Sequence, residues 1–296
     1  MHPGTRRGLL SLVCFLFAAT AESAELQRAR KSDACACATE CRSTAHSSAA
    51  QEYWQLYHSA NFTVCCPRSF DGDAAVRICE TLRRSLGEKW LGNPVADWSS
   101  RCYVVLHPTA TTYVQAAGRG SEATAGCSTV KELDGLVLSR RIDLRLDRPD
   151  PLSRTLPHEL THVLLADVMV GHKLPRWADE GMAMLADPQD KREGHRRDFI
   201  AALNRGAALR LPAMLTMDQY PEPQQTAAFY GQSLSLVEFL IQRKGSLTLQ
   251  QFLARAAKDG YQKALDETYG IRDAHELERL WLANVDRVGP RRESLN

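Results

Sequence analysis

At 296 residues the chain has room for one large domain or two packed ones. Its 44% hydrophobic and 24% charged content excludes a disordered or fibrous polymer and fits a folded globular protein. A formal charge of +2 gives no basis for a nucleic-acid partner. The densest basic run, Lys191 to Arg197, is interrupted by Glu193 and closed by Asp198, as on a solvated face.

The first residues read as a sorting signal. Arg6 and Arg7 precede the apolar run Leu9 to Ala19, which is too short to span a bilayer as a helix. The small residues Ala19, Ala21 and Ser23 suit cleavage after Ala21 or Ser23, so residues 1–23 are expected to be a signal peptide. The expected destination is secreted or periplasmic, and no later stretch is long and apolar enough to be transmembrane. Removing this segment removes Cys14 and leaves Cys35, Cys37, Cys41, Cys65, Cys66, Cys79, Cys102 and Cys127. An even count in an exported chain predicts disulfides, because the destination is oxidising. A stapled first half and a thiol-free second half are expected.

Residues 24–50, rich in Ala, Ser, Thr and charge, read as a linker or disulfide-tied arm. Asn61 to Cys66 is β-prone, and Asp73 to Trp90 carries apolar residues at helical spacing. Cys102 to His107 predicts a compact strand, and residues 109–117 a short helix. Gly135 to Leu146 alternates as a strand, with an irregularity expected near Arg141. Beyond residue 150 the spacing turns helical over Leu156 to Val170, Pro175 to Ala186, Ala227 to Arg243 and Asp273 to Val288. Asn61-Phe62-Thr63 matches a glycosylation acceptor, although a strand edge explains it as well.

The chemistry lies in His158-Glu159-Leu160-Thr161-His162. Four residues apart on a helix, the two imidazoles share one face and can aim at one ion. Glu159, rotated by about 100° from the first ligand, can reach a metal-bound water without taking a coordination position. Pro157 suits the first helical turn, and Thr155 is a plausible N-cap. A hydrolytic zinc site needs a third protein ligand and one open position. Asp167, His172, Asp179 and Glu180 are the downstream candidates. Glu180 is preferred, on a second short helix begun by Pro175, with Gly181 beside it allowing close helix packing. His172 and His195 read as surface residues.

The H-E-L-T-H run, followed by L-P-R-W-A-D-E-G-M-A over Leu174 to Ala183, resembles the gluzincin group of zinc peptidases in the MA-like clan. Phe229-Tyr230-Gly231-Gln232-Ser233, opening an apolar helix, is similar as well. The resemblance implies a zincin-like α+β fold: a mixed α/β subdomain over 51–170 with a small sheet and the active-site helix, then a helical subdomain over 171–290. It implies one zinc ion on His158, His162 and Glu180, Glu159 as general base, and Tyr230 as a donor to the oxyanion. The chain departs from the pattern four residues after Glu180, where Met184 replaces an aspartate that would orient a ligand. The expected function is a zinc metallopeptidase acting on a peptide or protein substrate. The alternative is a catalytically silent zinc-binding relative acting in recognition. A third reading makes the cysteine-rich first half a binding module and the zinc helix merely structural. A structural zinc site would need a fourth protein ligand, and no Cys follows Cys127.

Overall fold

The computed structural model describes residues 53–92, 95–169 and 173–288. The signal segment, the arm bearing Cys35, Cys37 and Cys41, and His172 lie outside the described residues. The fold is α+β: a small mixed sheet with helices first, then a run of helices. The chain divides into two compact units. One comprises residues up to Glu80 plus Asp97–Pro151, and the other comprises Thr81–Ala96 plus the chain from Leu152.

The first unit carries strands β1 (Trp54–His58), β2 (Phe62–Pro67), β3 (Cys102–His107), β4 (Gly126–Leu133) and β5 (Leu136–Arg145) in the order β1-β2-β3-β5-β4. β2, β3 and β5 are parallel, while β1 and β4 run antiparallel at the edges. Helix α1 (Gly72–Leu91) connects β2 to β3, and α2 (Ala110–Ala117) follows β3. Thr109 caps α2 as a side-chain acceptor for the Thr112 amide. Register places Val64, Val104, Ile142, Leu106 and Leu144 on one face, all fully buried. Each such side chain contributes roughly 1.5–3 kcal/mol of transfer free energy. The hairpin β4–β5 turns on Asp134-Gly135, both at positive φ (49° and 75°), as a two-residue turn between right-twisted strands requires.

Several expectations change here. The irregularity falls within β5 as expected but three residues before Arg141: Lys131 and Glu132, consecutive on β4, pair with Ser139 and Val137, which leaves Leu138 as the extra residue. The second half of β5, from Ile142 to Arg145, is buried on both faces, so its alternation does not report exposure. Asn61 is buried: its amide donates to Glu80 and Asp97, and its Oδ1 accepts from the Trp98 amide. The disulfide expectation is overturned, for no disulfide joins any two of the described cysteines Cys65, Cys66, Cys79, Cys102 and Cys127. Register explains this. Cys65 and Cys66 are consecutive on β2 and point to opposite faces, and Cys102 pairs with Phe62, three positions from Cys65. Cys127 sits on the far edge strand. Burial pushes the Cys79 thiol up to about 12 and Cys66, with help from Asp71, up to about 11, so neither is a reactive thiolate.

The second unit holds the rest of α1 and helices α3 (Pro151–Arg154, of which Pro151 belongs to the first unit), α4 (Leu156–Val168), α5 (Arg176–Met184), α6 (Gln189–Asn204), α7 (Leu211–Leu215), α8 (Pro223–Lys244), α9 (Ser246–Asp259), α10 (Tyr261–Tyr269) and α11 (Ala274–Val288). Thr155 stands at the N-cap of α4 without a side-chain capping bond. Thr161 instead donates its hydroxyl to the Pro157 carbonyl at 2.8 Å. α8 is buried on most sides from Ala228 to Leu240 and is the core of this unit. It packs against α5, α6, α9 and α11. Two glycines let helices meet it backbone to backbone. A Cβ on Gly181 would lie 2.5 Å from the Ser233 carbonyl oxygen, and one on Gly231 would lie 2.2 Å from the His195 carbonyl oxygen. Phe199 of α6 stacks on Trp281 of α11 at 5.1 Å. Among the described residues no helix is long and apolar enough to cross a membrane.

Candidate metal centre

Helix α4 sets His158 and His162 one turn apart, with Nε2 atoms 3.2 Å from each other. Helix α5 packs on α4 and delivers Glu180, whose Oε2 lies 3.7 Å from His158 Nε2 and 3.9 Å from His162 Nε2. The three ligand atoms lie within 4.8 Å of one another. Zinc bonds of about 2.0–2.1 Å at tetrahedral angles hold donor atoms about 3.3 Å apart. The triangle therefore fits such an ion after a small inward shift of the carboxylate. Two imidazoles and one carboxylate are also the donor set of open, hydrolytic zinc sites rather than closed structural ones.

Behind each imidazole stands a carboxylate. Asp179 Oδ1 is 2.7 Å from His162 Nδ1, and Asp187 Oδ2 is 3.3 Å from His158 Nδ1. Lys191, in the first turn of α6, holds the other Asp187 oxygen at 2.8 Å. A carboxylate that accepts from Nδ1–H leaves Nε2 to ligate; Asp179 makes that hydrogen bond to His162, whereas Asp187 approaches His158 as an ion-pair contact. Position 184, where an orienting aspartate was sought, holds the buried Met184. Its place is taken by Asp179, considered above as a ligand, and by Asp187, three residues beyond α5. Asp179 stood in the motif itself; nothing in the sequence distinguished Asp187.

Electrostatics agree with the geometry. Burial alone would lower both imidazoles, but Asp187 and Glu180 raise His158, and Asp179 raises His162. Burial works to raise the Glu180 carboxyl, yet His158, His162 and Tyr220 hold it below the usual carboxylate range. The cluster is thus an environment that draws positive charge to the space between the imidazoles.

The remaining expected residues gather around this cluster. Glu159 is buried beside His158. Tyr230, on α8, has its ionisation pushed up by burial and by the charge of Glu180. Tyr220, from the segment between α7 and α8, donates its hydroxyl to Glu180 Oε1 at 2.5 Å, and its ring lies 6.3 Å from that of Tyr230. Arg176 reaches the Tyr220 oxygen at 3.3 Å and lies 4.6 Å from its ring centroid. His195 is not the surface residue expected. It is half-buried with its ring 5.9 Å from Tyr230, and burial lowers its pKa.

Residues 144–287 match the family profile of the Peptidase MA superfamily, a span that contains the whole cluster and its supporting helices. No curated protein matches the chain. The matched region has a metallopeptidase-like fold with a His158/His162/Glu180 cluster able to coordinate a metal ion.

Proposed function

We propose that the chain is a secreted or periplasmic zinc metallopeptidase of the gluzincin kind, hydrolysing peptide bonds in a peptide or protein substrate. The observation that carries this reading is the convergence of His158 Nε2, His162 Nε2 and Glu180 Oε2, with a carboxylate behind each imidazole. His158, His162 and Glu180 would hold one ion. Zinc there supplies a water acidified toward neutrality and a Lewis acid for the scissile carbonyl. Glu159 accepts a proton from the attacking water and passes it to the departing amine, so one water is consumed per bond cut. Tyr230 keeps its phenolic proton at neutral pH and donates a hydrogen bond to the oxyanion as it forms.

The test is metal analysis combined with digestion of a peptide library by the wild type and Glu159→Gln. We expect one zinc per chain in both proteins and a loss of cleavage on the order of 10²–10⁴-fold in the variant. Absence of zinc, or cleavage that survives the substitution, would sink the reading. A wild type that binds one zinc yet cleaves nothing would leave the silent recognition protein.

A further inference from the structure

Resting on that reading, we propose that Tyr220 is a positioning residue which restricts Glu180 to a single oxygen toward the ion. The two carboxylate oxygens of Glu180 have different surroundings. Oε2 faces both imidazoles, at 3.7 Å and 3.9 Å, whereas Oε1 accepts from the Tyr220 hydroxyl at 2.5 Å. The direction of that bond is not ambiguous. Arg176 has only donors to offer, so its Nη1, 3.3 Å away, fills an acceptor site on the phenol oxygen. The single phenolic proton is then left for Glu180.

Arg176 and Glu180 lie four residues apart on one face of α5. The Tyr220 hydroxyl bridges them, held from above by the guanidinium against its ring. Its ring is also bracketed by Phe229 and Tyr230. A carboxylate without this tether has a second oxygen available to the same ion. That oxygen would compete for the position an open zinc site reserves for water. Tyr220 therefore acts through Glu180 and not on the substrate, which separates its role from that of Tyr230.

The experiment compares wild type, Tyr220→Phe and Tyr230→Phe after loading with zinc or cobalt alone. The readouts are zinc X-ray absorption, the cobalt visible spectrum, chelator competition, and kcat and KM. Tyr220→Phe keeps the ring packed against Arg176, Phe229 and Tyr230, so the fold is retained. We expect it to gain a light-atom neighbour at the metal, to change affinity by about 10–100-fold, as is typical of groups that orient ligands, and to lower kcat with KM little changed. Tyr230→Phe should lower kcat with the metal spectrum unchanged. If Tyr220→Phe has the spectrum and affinity of wild type, the tether is wrong while the peptidase reading stands. If wild type takes up no metal, both fall together.

Discussion

Each unit contains a histidine–aspartate pair at 2.7 Å: the buried His107 with Asp143 in the sheet, and the part-buried His162 with Asp179 in the helices. The pairs share a bond but not a use. Asp143 is also gripped by Arg141 through Nε at 2.7 Å and Nη2 at 2.8 Å, so its charge is spent on two partners within the sheet. The far nitrogen of His107, Nδ1, meets no hydrogen-bond partner among the described residues, and its ring is packed edge-on by Trp54 and Tyr113. The far nitrogen of His162 instead faces His158 Nε2 and Glu180 Oε2. A carboxylate behind an imidazole is therefore not a site. What the opposite nitrogen faces decides whether the pair serves the fold or a ligand.

The contrast can be broken most sharply at Asp143. Asp143→Asn removes the charge shared by the buried His107 and the partly exposed Arg141 and should cost about 3–5 kcal/mol in urea unfolding, with zinc content unaltered. Acid titration sharpens the same point. Burial acts to raise the Asp143 carboxyl, but hydrogen bonds from His107 and Arg141 outweigh it and hold the pKa down. A depressed carboxylate contributes fully above its unfolded value of about 3.9, and the contribution is lost as pH falls through the folded value. The wild type should therefore lose stability below about pH 4, and Asp143→Asn should lack that share of the acid limb. Identical acid limbs would mean the cluster contributes nothing.

At the second pair the effect should move from stability to metal. Asp179→Asn should weaken zinc binding by about 10–100-fold in chelator competition, and cost the metal-free protein less than Asp143→Asn does. Equal zinc affinity in wild type and variant would put the two pairs in the same class. The smallest effect is expected at Lys191, which is partly exposed and reaches the carboxylate behind His158 with its ammonium group. Lys191→Met should change zinc affinity by no more than about fivefold; a larger loss would show that Asp187 depends on it.

The sequence displayed the ligands and concealed both pairs. His158, His162 and Glu180 were legible because helical spacing and a proline-started second helix are local signals, and the structure brings them together as expected. His107 and Asp143 are 36 positions apart and meet only through strand register, which no local pattern reveals. Edge strands β1 and β4 escaped for a related reason: half-exposed, they lack a clean apolar alternation. Helix α6 was hidden because its charged first turns read as a solvated run, while Phe199 and Ala202 alone commit it to the core. Cysteine parity misled because a count of thiols carries no distances.

The glycine contacts on α8 have a kinematic consequence. Gly181 presses on the Ser233 carbonyl from α5, and Gly231 is pressed by the His195 carbonyl from α6, so the helix is pinned by collars only two residues apart along its length. Sliding it by one position would replace Gly231 with a residue bearing a Cβ where only about a hydrogen fits. Translation along its own axis is closed to α8, and only small tilts about the collars remain. Any motion that admits a substrate to the cluster must therefore leave α8 in register with α5 and α6.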